Sequence, residues 1–441
     1  MTTRKKILYF FILPIFLVAI FFTNYQKIVR NIPQSFKSLM PKSMFNLHGG
    51  IKFLDNIRNM NPNSEISVNS LFYNMLLLPQ TQYGQVNFTD FSLHLKDKVN
   101  VEFKPETDQF HIAFYKDKLI LVTYSGNLFS IDPEQITNES SQIIITPLKN
   151  NFKDLKNIYR VLDLHIDNDE LLISFAYLDS LQNNKECFKT SLARSEFNEN
   201  FLDFKKIFST RNCSTSKTFG GAVGTINSDE SSGYLIASAN QTGNPLETIK
   251  TEDSSDDYGK IFFVDKATLN KSIYSIGHRN PQGMHIEGRN IIVTEHGPRG
   301  GDEINFITKG ANYGWPTSSY GTKYVFGMTW DKKYLSYKKS HEKYNFNEPI
   351  FSFVPSIGIS RIIKLPNNFW QESPMENLYL LSSLHGNSLY QIKLDSKLNK
   401  VLFVEKIFTG KRIRDLALMP GSKKVFIAFE KPGSIAILEP I

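Results

Sequence analysis

NLYLLSSLHGNSLYQIKLD, residues 377–395, decides the fold. A β-prone apolar run through Leu378, Tyr379, Leu380 and Leu381 reaches a turn at His385, Gly386 and Asn387, and a second such run returns through Leu389 and Ile392. Apolar residues stand at consecutive positions, so the strands are expected to be covered on both faces. The same unit recurs along the chain. KLILVTYSGNLFSID (118–132) and KVFIAFEKPGSIAILEP (424–440) are direct hairpins. ELLISFAYLD (170–179) returns at CFKTSLA (187–193), GYLIASAN (233–240) at GKIFFVD (259–265), and RNIIVTEHG (289–297) at DEINFI (302–307). Six such hairpins at uneven spacing fit an all-β, six-bladed β-propeller with four strands per blade and insertions between them. Helical periodicity is nearly absent over the same stretch, which argues against a helix-rich fold. Two stacked sandwiches or an irregular β-solenoid would also give repeated hairpins.

The 441 residues are 41% hydrophobic and 13% aromatic, enough for a large core and more than one compact α/β domain usually holds. The formal charge of +8 is interspersed with acidic residues, with no long Lys/Arg run to track a phosphate backbone, which argues against nucleic-acid binding. The beginning of the chain is different in kind. Arg4, Lys5 and Lys6 precede an apolar run from Ile7 to Phe22, and the small residue Ala19 is followed by Ile20, Phe21 and Phe22, so no A-x-A cleavage site is offered. Residues 1–30 therefore read as one N-terminal transmembrane helix, uncleaved. Residues 31–47, with Pro33 and Pro41, read as a tether, and 48–441 as the propeller, anchored in an inner membrane and facing the periplasm. On that exported side Cys187 and Cys213 are expected to form a disulfide.

Chemistry concentrates in residues 277–321, GHRNPQGMHIEGRNIIVTEHGPRGGDEINFITKGANYGWPTSSYG. Arg279 and Asn280 stand side by side before a strand. The Gly-Pro and Gly-Gly path of TEHGPRGGDEIN (294–305) lets backbone carbonyls approach a ligand or a hard cation. KRIRD (411–415) adds Arg412 and Arg414, which alternation along a strand puts on one side. Together these residues suit an anionic, planar ligand with Ca2+ beside it. A purely structural arrangement would instead pair Arg279 with Asp302 or Glu303.

GHRNPQG (277–283), TEHGPRGGDEIN, NYGWP (312–316), PSIGIS (355–360) and RIRD (412–415) occur here in the order found in the glucose/sorbosone dehydrogenase family, both its soluble PQQ-dependent members and its periplasmic aldose-dehydrogenase branch. The chain resembles that family strongly over its C-terminal half and weakly over its N-terminal half. The resemblance implies a six-bladed propeller with PQQ over the channel and Ca2+ bridging it to the carbonyls of Gly297 and Pro298. It implies that Arg279, Asn280, Arg412 and Arg414 hold the cofactor's carboxylates, with the Ser356 hydroxyl and His385 nearby. In such enzymes a histidine takes the proton of a sugar or alcohol hydroxyl while hydride passes to the quinone. The electrons then go to a membrane quinone or a small acceptor.

At the base position this sequence departs from the pattern. The family's H-x-G/S-G-R-L segment aligns with Thr218 to Val223, so a threonine stands where the base is expected, and a hydroxyl does not accept a proton at neutral pH. No G-Q-G-G-L-L segment occurs in the N-terminal half. The base is then expected at His385, which replaces a cofactor-proximal lysine, or else at His278 or His296. The alternative is a non-catalytic propeller that binds a ligand or partner in a retained pocket.

Overall fold

The computed structural model describes residues 86–91 (backbone only), 109–137, 145–228, 231–240, 255–322, 337, 340–370, 375–430 and 433–440. The anchor and tether expected over 1–47 lie outside the described residues. Among the described residues no helix is long and apolar enough to cross a membrane.

The described strands form six four-stranded antiparallel sheets, so the propeller expected from the hairpins is the fold. One strand precedes the first complete blade, β1 (Val86–Phe91). Blade 1 holds β2 (Phe110–Tyr115), β3 (Lys118–Thr123), β4 (Leu128–Ile131) and β5 (Ile145–Pro147). Blade 2 holds β6 (Ile158–Asp167), β7 (Glu170–Gln182), β8 (Lys185–Glu196) and β9 (Lys205–Ser209). Blade 3 holds β10 (Gly220–Ser228), β11 (Ser231–Ser238), β12 (Lys260–Asp265) and β13 (Lys271–Ile276). Blade 4 holds β14 (Pro281–Glu287), β15 (Asn290–Glu295), β16 (Asp302–Phe306) and β17 (Phe351–Phe353). Blade 5 holds β18 (Ile359–Lys364), β19 (Leu378–Ser383), β20 (Ser388–Leu394) and β21 (Val401–Phe408). Blade 6 joins strands far apart in the sequence: β22 (Arg412–Leu418), β23 (Val425–Glu430) and β24 (Ser434–Pro440) pair in order, and β1 adds antiparallel to β24, Val86 opposite Pro440 and Phe91 opposite Ile435.

The innermost strands β2, β6, β10, β14, β18 and β22 touch in succession, and β22 returns to β2. Between neighbouring blades lie separate apolar wedges. Leu380, Leu389, Ile413 and Ile427 fill the one between blades 5 and 6, and Phe110, Leu121, Phe426 and Ile435 the one between blades 6 and 1. Every residue of β19 and of β23 is buried, which is why those segments read as unbroken apolar runs. Close to their starts β6, β10, β14, β18 and β22 all carry a register shift, the kind of bulge that re-aims side chains beside a site.

A buried polar plug crosses the channel below those starts. Arg361 of β18 donates to Asp163 of β6 at 2.7 Å and lies 3.4 Å from Asp415 of β22. Asp415 in turn meets His111 Nδ1 of β2 at 3.1 Å. Backbone N–H groups of Ile112, Leu164, Val223 and Leu416 also donate to the two carboxylates. Burial pushes Asp163 up to about 6 in spite of Arg361. Asp415 is equally buried, but Arg361 and His111 outweigh the burial and hold it below the usual range.

Cys187 and Cys213 are bridged, 26 residues apart in sequence, tying β8 to the segment that leads into β10. Phe188, next to Cys187 in sequence, packs edge-on against Phe219. Cys213→Ser is expected to cost about 3 kcal/mol, read as a lower denaturant midpoint that added reductant lowers no further.

Candidate active site at the channel mouth

In a propeller the innermost strands all run the same way, so their starts, and the loops joining second to third strands, share one end of the channel. The segments singled out in the sequence fall on those positions. Thr218 precedes β10, Arg279 and Asn280 precede β14, Ser356 precedes β18, and Arg412 and Arg414 open β22. Gly297 and Pro298 lie in the β15–β16 loop and His385 in the β19–β20 loop.

The contacts run in a closed circuit. The Arg279 guanidinium donates to the His296 carbonyl at 2.6 Å and lies over the Trp315 ring, 5.3 Å from its centre, while the Arg279 N–H donates to Glu295 at 2.8 Å. Asn280 Oδ1 accepts the Gly220 N–H at 3.1 Å and the Gln282 amide at 3.0 Å. Gly297 N–H donates to Asp302 Oδ1 at 3.0 Å, and Asp302 Oδ2 collects the N–H groups of Ile357, Gly358 and Ile359 at 3.0, 2.6 and 3.1 Å. His385 and Gly386 donate their backbone N–H groups to the Ile357 carbonyl at 2.9 and 2.7 Å. Arg412 reaches the neighbouring Leu384 carbonyl at 3.2 Å and Glu430 at 3.2 Å. Arg414 holds the other oxygen of Glu430 at 2.5 Å and meets Gln282 Oε1 at 3.3 Å, which returns to Asn280.

Simple alternation does not put the two arginines of β22 together, because Arg414 is the extra residue of a bulge. They meet instead through Glu430, which stands opposite Arg412 at the end of β23 and is fully buried. Burial alone would raise the Glu430 carboxyl, but Arg414 and Arg412 outweigh it and hold the group below the usual range. Glu430 escaped the sequence reading, although a lone acid closing the apolar run VFIAFE was a visible signal. Tyr124, in the β3–β4 turn, and Arg160, near the start of β6, escaped it as well.

Two of the histidines have defined hydrogen-bonding positions. His278 is wholly buried, with Nε2 on Ser275 at 2.8 Å, Nδ1 on Glu295 at 3.2 Å and its ring stacked on Tyr313, so it organises the loop. The Gly220 N–H, which can only donate, fixes the Asn280 oxygen and thereby turns the Asn280 NH2 toward His296 Nδ1 at 3.3 Å. Nδ1 of His296 is then the acceptor, burial keeps the ring neutral by lowering its pKa, and the proton sits on Nε2, a buried atom that makes no hydrogen bond of good geometry among the described residues. His385 is exposed at the rim. Thr218 is partly buried, its N–H on Ser216.

The residues present fit both PQQ and Ca2+. Gly297 and Pro298 are buried, yet neither carbonyl accepts a hydrogen bond from a described residue, so each keeps lone pairs for a hard cation. A Cβ at Gly297 would stand 2.0 Å from the Gly301 carbonyl oxygen, so the loop closes this tightly only with glycine. The Ser356 hydroxyl is likewise buried beside the circuit, without a hydrogen-bond partner among the described residues.

Comparison with known proteins agrees with this architecture. The chain is 29% identical over 187 residues to the aldose sugar dehydrogenase of Escherichia coli, covering 40% of this chain and 46% of that one. It is 26% identical over 208 residues to quinoprotein glucose dehydrogenase B of Acinetobacter calcoaceticus, covering 37% and 44%. The chain thus aligns with less than half the length of either relative. Among solved structures, the soluble aldose sugar dehydrogenase of Escherichia coli in its apo form superposes with a TM-score of 0.61 at 19% identity, over 81% of this chain and all of that one. The PQQ-bound aldose sugar dehydrogenase of Streptomyces coelicolor gives 0.56 at 15% identity, over 82% and 99%. The glucose/sorbosone dehydrogenase family model matches residues 107–437, and the chain belongs to that family.

Proposed function

We propose that the protein is a PQQ- and Ca2+-dependent dehydrogenase that oxidises a sugar or related alcohol. The observation that carries this reading is the pair of buried, donorless carbonyls at Gly297 and Pro298, set in one contact circuit with Arg279, Asn280, Arg412 and Arg414. Gly297 and Pro298 would hold the cation, and the three arginines with Asn280 the carboxylates of the cofactor. His296 Nε2–H and the Ser356 hydroxyl supply neutral donors beside them. When bound, PQQ supplies a two-electron acceptor for hydride and Ca2+ polarises it. The chain's own share is to orient both groups, to keep water from the buried side, and to take the substrate hydroxyl's proton at the rim, where His385 stands. Delivery of the electrons to a membrane quinone or small carrier, with the propeller held at the periplasmic face of an inner membrane by residues 1–30, completes the reading.

A second reading, a pocket that binds without oxidising, is favoured by Thr218 at the expected base position. Titration of the purified chain with PQQ and Ca2+, followed by aldoses, separates the two. Saturable absorbance changes followed by sugar-dependent reduction support the dehydrogenase, binding without reduction supports the silent pocket, and no binding removes the cofactor from both. Arg414→Met is expected to weaken PQQ about thirtyfold in the same titration, with the loss shrinking at high salt.

A further inference from the structure

The cofactor residues come from blades 4, 5 and 6, an arc that leaves the rest of the mouth, blades 1, 2 and 3, to something else. There Arg160, near the start of β6 and mostly buried, is wedged between two rings. Its guanidinium lies 5.5 Å from the centre of Tyr124 and 5.3 Å from the centre of Phe219, the residue after Thr218. Arg414 sits 5.7 Å from the same Tyr124 ring, so two cations share one aromatic.

Among the described residues no carboxylate lies within ion-pair distance of Arg160. The nearby acid, Glu430, is already taken by Arg412 and Arg414. Burial, with Arg414 adding to it, lowers the Arg160 pKa, as expected of a desolvated cation that lacks a counterion. Lys217, on the same rim, differs on both counts, being exposed and paired with Glu186 at 2.9 Å. Holding a largely desolvated guanidinium beside a second one is unfavourable unless an anion arrives. The two rings fix the fork in place before that happens, so little rotamer freedom is lost on binding.

We propose that Arg160 receives the carboxylate of the substrate, and that the natural substrate is an acidic sugar, a uronic or aldonic acid, in preference to a neutral aldose. This rests on the dehydrogenase reading for the reaction, though not for the binding. Position in the ring supports the assignment to substrate over cofactor: Arg160 opens blade 2 and lies against Phe219, which leads into blade 3, whereas Gly297 and Ser356 belong to blades 4 and 5.

Calorimetric titration of the full chain with D-glucuronate and with D-glucose, each with and without PQQ and Ca2+, tests it. The expected result is that D-glucuronate binds about ten- to a hundredfold more tightly than D-glucose, that Arg160→Gln removes this preference, and that its PQQ affinity stays within about twofold of the wild type. Arg160→Lys keeps the charge between the same rings and is expected to retain part of the preference, which separates loss of the anion contact from loss of the fold. Equal affinity for both sugars overturns the proposal. So does an Arg160→Gln variant that loses PQQ affinity and leaves the sugar preference unchanged, since the carboxylate would then be the cofactor's. Glucuronate binding that depends on Arg160 in a chain that never takes up PQQ would leave this proposal standing and remove the dehydrogenase reading. Glucose oxidation with no preference for glucuronate would do the reverse.

Discussion

Replacing Arg361 by leucine is expected to remove about 3–5 kcal/mol of stability at neutral pH, read from urea or guanidinium midpoints. The guanidinium lies between Asp163 and Asp415 deep in the channel, and without it two buried carboxylates are left together, with His111 Nδ1 still on Asp415. The deficit should depend on pH with a defined sign. In the native chain Asp163 already has its pKa raised to about 6, so its stabilising share is complete below the unfolded carboxyl value and is lost as pH rises through about 6. Asp415 is depressed, so its share is present above the unfolded value and is lost as pH falls. Removing Arg361 takes away the main force that depresses Asp415 and the main one that opposes burial at Asp163, so both carboxyls shift upward. The Arg361→Leu chain should therefore recover stability on acidification from pH 7 toward 5. Adding Asp163→Asn should recover part of it at pH 7. A deficit that is the same at both pH values would mean that lost packing, and not uncompensated charge, is what Arg361 prevents.

His385→Ala is expected to lower turnover about 10²- to 10⁴-fold while leaving PQQ affinity nearly intact. The expectation follows by elimination among side chains at the mouth. Thr218 has no basic atom, both ring nitrogens of His278 are engaged, and His296 accepts on Nδ1 and carries its proton on Nε2. His385 is exposed at the rim, its backbone held against Ile357. In the wild type the rate should rise with pH along the limb of a general base, and the variant should lose that limb. Full turnover in the variant would take the base role from His385.

The fold was legible because each blade is covered on both faces, so strands such as β19 and β23 carry no polar alternation to blur them. Arg279, Asn280, Ser356, Gly297, Pro298, Arg412, Arg414 and His385 do share one mouth, since each sits at the start of an innermost strand or in a loop on the same side. Their mutual wiring was not legible. A bulge at Arg414 breaks the alternation from which its direction had been read, and Glu430, the anion that joins the two arginines, arrives from the next strand. Arg160 and the plug at Arg361 were invisible for a related reason. Each acquires its meaning from partners on other blades, Phe219 and Asp163 respectively, and a single chain read in order does not show which blade faces which.

The sharing of blade 6 between β1 and β24 also bears on how the ring is made. Val86 pairs with Pro440, so the contact that closes the circle is also among the longest-range ones. A chain emerging from its N-terminus carries β1 as an open edge until β22, β23 and β24 appear, a step whose loop-closure entropy must be met before the last wedge rewards it. Unclosed, the ring has two exposed strand edges that invite pairing with other chains. The latch thus makes the arrival of β22, β23 and β24 the event that commits the molecule to its closed form, and a chain lacking β1 should assemble with itself before it folds alone.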